Sequence, residues 1–104
     1  MVILLDGELK LGAAVDEFRA CWSDALAIGT QHVIVNMKQV SAIDSSGIGA
    51  LVRCHSAVRG NGGKMEIVGA GEVVRQAFKL TQLDSVFSFH DDEQGAMGAL
   101  GAAI

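Results

Sequence analysis

The stretch from Val33 to Ala50 constrains the fold of this chain more than any other. It begins with the continuous β-branched run Val33-Ile34-Val35, which is typical of a strand covered on both faces. It then passes through Asp44-Ser45-Ser46-Gly47 into an apolar stripe with helical spacing. A buried strand that runs into an amphipathic helix is the building unit of a parallel sheet, so the sequence predicts an α/β fold.

The other apolar patterns continue this alternation of strands and helices along the 104 residues. The predicted strands cover Val2 to Leu5, Val33 to Val35, Met65 to Val68 and Val86 to Phe89. The predicted helices cover Val15 to Ile28, Ile48 to Val58 and Glu72 to Leu80, and a last helix opens at Asp91-Asp92-Glu93 with Met97, Leu100 and Ile104 facing inward. We therefore expect a single domain, residues 1–104, with a small mixed, mostly parallel sheet of about four strands. The first two helices should pack together on one face of the sheet, because their apolar stripes are of similar length and flank one doubly buried strand.

The start of the second helix has the chemistry of an anion site. Asp44, Ser45 and Ser46 place a carboxylate and two hydroxyls beside free backbone N–H groups and the positive end of the helix dipole. A phosphate group would be well placed there. The simpler interpretation is that Asp44 or Ser45 only caps the helix, since both residue types accept an N–H bond from the first turn. Local chemistry leaves both interpretations open.

The order of motifs along the chain resembles that of the STAS domains of anti-sigma-factor antagonists. The segment I-D-S-S-G-I-G between a strand and a helix is the most specific part, and L-D-G-E-L precedes it in the expected order. In that family, the serine directly after the aspartate is phosphorylated by a partner kinase that is also the anti-sigma factor. The resemblance implies that Ser45 is the phosphorylation site and that the partner-binding residues are Asp44, Ser45, Ser46, Gly47 and Ile48.

The resemblance also implies a function. An unphosphorylated domain would dock on an anti-sigma serine kinase and so release a sigma factor, and a phosphatase would remove the phosphate from Ser45. Such a protein is a bacterial cytoplasmic binding module in signalling and transcription regulation, not an enzyme. The alternative is a non-catalytic STAS accessory subunit of a transport or signalling complex, which nothing in the helix opening excludes.

Two features depart from the family pattern. Family members usually carry an additional strand ahead of the L-x-G-E-L segment, whereas Met1 stands almost at the start of that segment. Lys10 follows the segment, where many antagonists have an acidic residue. If the extra strand is absent, we expect an exposed sheet edge that another chain could cover, as in a dimer.

Other chemistries fit the sequence poorly. A serine hydrolase elbow needs G-x-S-x-G, but Ile43 and Asp44 stand two positions before the two serines. The histidines and cysteines have no metal-ligand spacing, and Cys21 and Cys54 sit beside apolar neighbours as free, buried thiols would. Gly60-Asn61-Gly62-Gly63-Lys64 follows a helix and precedes a strand, the reverse of a P-loop. We expect no catalytic residue, metal or cofactor.

Composition narrows the partners further. The formal net charge is -4 and no basic run is present, so direct nucleic-acid binding is not expected. No apolar run approaches the roughly 20 residues that a membrane-spanning helix needs, so we expect no membrane insertion.

Overall fold

The computed structural model describes residues 1–101 and contains a four-stranded sheet with four α-helices. The strands are β1 (Val2–Leu9), β2 (Val33–Ile43), β3 (Met65–Val68) and β4 (Ser88–His90). The helices are α1 (Ala13–Ala27), α2 (Ser45–Gly60), α3 (Glu72–Leu80) and α4 (Glu93–Ala99). The strands lie in the order β1-β2-β3-β4, and each pairing in this part of the chain is parallel. The predicted α/β class and strand number are confirmed.

One face of the sheet carries the main hydrophobic core. Successive residues of a strand point to opposite faces, and Val33 and Val35 of β2 point to this one. They lie in one cluster with Phe18 of α1, Leu51 of α2 and Phe78 of α3, and all five side chains are buried. The predicted packing of the first two helices on one face is confirmed, because α1 and α2 also contact each other.

The opposite face is covered by α4. Ile34 and Val68 point to this face and form a small second cluster with Ala96 of α4, against which Leu100 packs. The expected inward position of Met97 is wrong, since its side chain is 43% exposed. Ala96 and Leu100 are four residues apart and so share one side of the helix, and the small alanine lets the helix approach the sheet closely. The predicted inward position of Ile104 falls outside the described residues.

Strands β1 and β2 are longer than the sequence predicts. They pair from Val2↔Ile34 to Leu9↔Ile43, with register shifts after Leu4 and after Gly7. The turn-like pair Asp6-Gly7 therefore lies inside β1, because the strand is irregular there. Gly7 adopts a φ of 74°, which a glycine reaches without strain. Strand β2 pairs with β3 only as far as Asn36. Beyond Asn36, β2 pairs with β1 alone, and these two strands form a two-stranded ribbon.

Strand β4 begins later than predicted. It covers Ser88–His90, whereas Val86 lies in a turn in which its N–H donates to the carbonyl of Leu83 at 3.0 Å. Val86 was predicted in the strand because it is β-branched. It is 44% exposed and packs too little against the core to extend the strand.

Candidate functional site at the start of helix α2

Two loops meet at the end of the β1–β2 ribbon. Leu9 and Ile43 are register partners at the carboxyl ends of their strands. The segment that follows β1 therefore lies beside Asp44, which links β2 to α2. The carboxyl ends of parallel strands are where α/β proteins commonly place their sites.

Asp44 is the N-cap of α2 and also holds the neighbouring loop. Its Oδ1 accepts the backbone N–H of Gly47 at 2.9 Å, and its Oδ2 accepts the backbone N–H of Leu11 at 3.0 Å. These bonds lower the pKa of the carboxyl, first the one from Leu11 and then the one from Gly47, with a small contribution from the charge of Lys10. Both carboxylate oxygens are therefore engaged within the chain.

Gly47 allows α2 to start against the end of β1. A Cβ at this position would collide with the carbonyl oxygen of Leu9 and would lie 2.8 Å from Cγ1 of Ile43. Real Cβ atoms do not approach other atoms this closely. The glycine is buried and sets the distance between the helix and the strand pair.

The five residues that the sequence singles out divide into two groups. Ser45 is exposed and Ser46 is half-buried. Gly47 and Ile48 are buried, and Ile48 belongs to the main core with 7% of its surface exposed. Since Asp44 supplies the cap, Ser45 is not needed for that role. Ser45 is the one exposed residue of the five, and Gly47 and Ile48 are buried within the domain.

Sequence reasoning missed Leu11 as a component of this surface. Leu11 is 81% exposed and lies next to Asp44, which binds its N–H. Beside it, the ammonium of Lys10 lies 3.3 Å from the carboxylate of Glu8. The sequence does contain a sign of this role, because Leu11 is an apolar residue in the polar segment between the first strand and the first helix.

The surroundings of Cys21, Cys54 and His55 do not indicate a reactive site. Cys54 is fully buried, and burial raises the pKa of its thiol to about 12, so it stays protonated. Cys21 is exposed, which makes the expectation of its burial wrong. The His55 ring packs edge-on against the Phe87 ring, with 5.2 Å between the ring centroids, and burial lowers the pKa of His55.

Within residues 1–101, no helix is both long and apolar enough to span a bilayer.

The fold and site define a small α/β domain with an exposed serine at a capped helix start. The family model for the STAS domain matches residues 1–96. The chain therefore belongs to the STAS domain family, which confirms the assignment made from the I-D-S-S-G-I-G motif.

Relatives and solved structures agree with this assignment. The chain is 23% identical over 101 residues to an anti-sigma F factor antagonist from Paenibacillus polymyxa, covering 96% of this chain and 86% of the relative. Its fold matches an anti-sigma factor antagonist from Thermotoga maritima with a TM-score of 0.86 and 25% identity, covering 96% of this chain and 87% of the other. It matches the phosphorylated form of the Bacillus cell fate determinant SpoIIAA with a TM-score of 0.73 and 27% identity, covering 94% and 87%.

A further likeness shows how widely the fold is used. A sulfate transporter family protein from Wolinella succinogenes has a TM-score of 0.82 at 16% identity, with 98% of this chain and 84% of the other covered. This similarity concerns the fold alone. The fold therefore does not by itself distinguish a sigma-factor regulator from a transporter domain.

Proposed function

We propose that this chain is an anti-sigma-factor antagonist, a non-catalytic binding module that phosphorylation of Ser45 switches off. The observation that carries the proposal is the exposed Ser45 directly after Asp44, whose carboxylate already caps the helix. The Ser45 hydroxyl is therefore free to react without loss of the cap. The names of the relatives and the phosphorylated state of one of them support the same interpretation.

The proposed partner is an anti-sigma factor that is also a serine kinase. In the phosphorylation step, the Ser45 oxygen attacks the γ-phosphorus of ATP held by the kinase, the bond to the β-phosphate oxygen breaks, and ADP and the hydroxyl proton leave. The dipole of α2 stabilises the phosphate at this end of the helix. A phosphatase that hydrolyses the ester would restore the binding form.

Phosphorylation changes the docking surface far more than it changes the fold. It adds about -1.5 to -2 charges at an exposed position next to Asp44. A partner surface fitted to a neutral hydroxyl would then have to bury an uncompensated dianion. Such a charge costs several kcal/mol, which corresponds to roughly a hundredfold or greater loss of affinity. The unphosphorylated protein would bind the kinase and release the sigma factor.

The test uses the cognate kinase and ATP with three variants. Ser45→Ala should stay unlabelled and remain bound to the kinase, whereas Ser45→Asp should bind poorly. Ser46→Ala is the matched control and should still be phosphorylated. Mass spectrometry locates the phosphate, and label on Ser46 or Ser41 with Ser45 unmodified would contradict the proposal.

The second candidate is a non-catalytic accessory subunit of a transport or signalling complex. The exposed Lys10 favours it, because the surface beside Ser45 then differs in charge from that of many antagonists. A pull-down from native lysate with the wild-type protein and Ser45→Asp distinguishes the two. A kinase lost from the Ser45→Asp sample supports the switch, and a transporter component retained equally by both supports the accessory role.

We also propose that a second copy covers the free edge of β1. β1 is an edge strand of the sheet, and its Leu4 side chain is 73% exposed. An unpaired strand edge offers backbone donors and acceptors to another strand.

A further inference from the structure

A stripe of small and polar residues runs along the outer side of α2 from the site. Ser45, Gly49, Arg53 and Ser56 follow one another at spacings of four, four and three residues, which places them on one side of a helix. Ser45, Arg53 and Ser56 are exposed, and Gly49 is half-buried. Arg53 is the only cation on this stripe.

Arg53 extends along the stripe towards Ser45. A Cβ built on Gly49 would lie 3.7 Å from both Nη1 and Nη2 of Arg53. The guanidinium therefore lies over Gly49, one full turn closer to the start of the helix than its own Cα. This is the direction in which long side chains of helices usually point.

Arg53 has no carboxylate partner among the residues that the structure describes. The carboxylate contacts there join Lys10 with Glu8 and the ring of His90 with Glu66. The planar guanidinium carries donors that match phosphate oxygens in pairs. It is thus a free phosphate-binding group on the same stripe as Ser45.

We propose that phosphorylated Ser45 captures Arg53, whose guanidinium bridges over Gly49 to the phosphate oxygens. This inference rests on the proposed function, since it concerns the modified form of the same serine. Ser45 and Arg53 are eight residues apart, or about 12 Å along the helix axis. Arg53 already covers the half nearer to itself. The remaining four residues, about 6 Å along the axis, are spanned by the phosphoserine side chain and a charge-assisted bond of about 2.8 Å.

The absence of a side chain at Gly49 keeps this path open. A longer side chain there would occupy the space in which the guanidinium lies. Phosphorylation would then change the docking surface in two ways. It adds an anion at Ser45, and it ties up the Arg53 guanidinium, which is no longer free to contact a partner. Arginine is enriched at protein interfaces, so its withdrawal is expected to weaken docking further.

The test measures the phosphate directly. Phosphoserine is incorporated at position 45 during synthesis, without a kinase, and its second pKa is followed by phosphorus NMR. An ordinary phosphoserine has this pKa near about 6, and a bound cation lowers it. Arg53→Gln should raise it by about 0.2 to 0.7 of a pKa unit, the range for an exposed ion pair. Arg53→Lys should restore part of the difference.

Two matched variants separate capture from other causes. Arg59→Gln removes an exposed arginine from the far end of the same helix and should leave the phosphate pKa unchanged. Gly49→Leu keeps the charge of Arg53 but blocks its path, and it should raise the phosphate pKa as Arg53→Gln does. Circular dichroism of each variant establishes that it is folded.

Equal pKa values for the Arg53→Gln and Arg59→Gln proteins would overturn the inference. So would a rise on Lys10→Gln without one on Arg53→Gln, since Lys10 would then be the cation at the phosphate. Because the phosphate is installed without a kinase, these outcomes do not depend on the proposed function. Conversely, a kinase that labels another serine would contradict the proposed function and leave this measurement intact.

Discussion

At the scale of single residues, Asp44 organises the site. One carboxylate joins the first turn of α2 to the loop after β1, since its two oxygens accept N–H groups from Gly47 and Leu11. The sequence predicted a helix start at Asp44-Ser45 and left open whether Asp44 or Ser45 caps it. In the structure Asp44 is the cap and Ser45 is exposed. That division depends on the pairing of Leu9 with Ile43, a contact between distant parts of the chain.

The lowered pKa of Asp44 predicts how stability depends on pH. A carboxyl with a folded-state pKa below its usual value of 3.8 contributes stability above that value, and this stability is lost as the pH falls through the folded-state pKa. Asp44→Asn should therefore be less stable than the wild type at neutral pH, and the gap should close as the pH falls below 3.8 and through the lowered folded-state pKa of Asp44. Urea unfolding between about pH 2 and pH 7 measures it. Asp24→Asn controls for net charge, and a gap that stays constant with pH would contradict the prediction.

Gly47 predicts a strong steric effect at the same place. Gly47→Ala would drive a methyl group into the Leu9 carbonyl, so we expect a loss of about 1 to 3 kcal/mol in the free energy of unfolding. Gly60→Ala is the control, because no atom lies within 4 Å of its added Cβ. Thermal unfolding compares the two variants. An equal midpoint for both would mean that α2 moves away from β1 without cost.

At the scale of helices and strands, packing decides where the sequence pattern succeeds and where it fails. The three helices on the core side were predicted because their apolar stripes repeat at helical spacing. The later part of β2 was missed, since Lys38 and Gln39 are exposed and carry no alternating pattern. The orientation of α4 was also missed, because the contact uses the small Ala96 rather than the larger Met97.

The packing of α2 predicts that its stability lies in the buried face and not at the serine. Leu51 is fully buried, so Leu51→Ala should cost about 2 to 5 kcal/mol of the free energy of unfolding. Ser45→Ala should change it by less than about 0.5 kcal/mol, since Ser45 is exposed and does not supply the cap. Urea melts of both variants decide the matter. A larger loss for Ser45→Ala would assign Ser45 a structural role and weaken the switch.

At the scale of the whole molecule, β1 and β4 form the edges of the sheet. The β1 edge combines an unpaired backbone with the exposed residues Val2 and Leu4. Both lie on the same face of the sheet as α4, which packs on β2, β3 and β4. The sequence predicted such an edge from the resemblance.

The free edge predicts self-association that one charge abolishes. Leu4→Lys should shift the protein from dimer to monomer in sedimentation equilibrium, because edge lysines oppose strand pairing. Ile28→Lys is the matched control, since Ile28 is 85% exposed but lies outside the strands. Both variants should keep the wild-type thermal midpoint at low concentration. A wild-type protein that is monomeric up to about 100 μM, well above a typical nanomolar to micromolar Kd, would refute the dimer.

The order β1-β2-β3-β4 also means that strands adjacent in space are adjacent in the chain. The bonds of Asp44, the Leu9–Ile43 pair and the contact of Arg53 with Gly49 all lie within the first 60 residues. Proteins are synthesised from the N-terminus, and early segments can acquire structure before later ones emerge. The surface around Ser45 is completed only later, however, because Leu51 of α2 shares its core cluster with Ile67 of β3 and Phe78 of α3, and a domain generally folds as a unit.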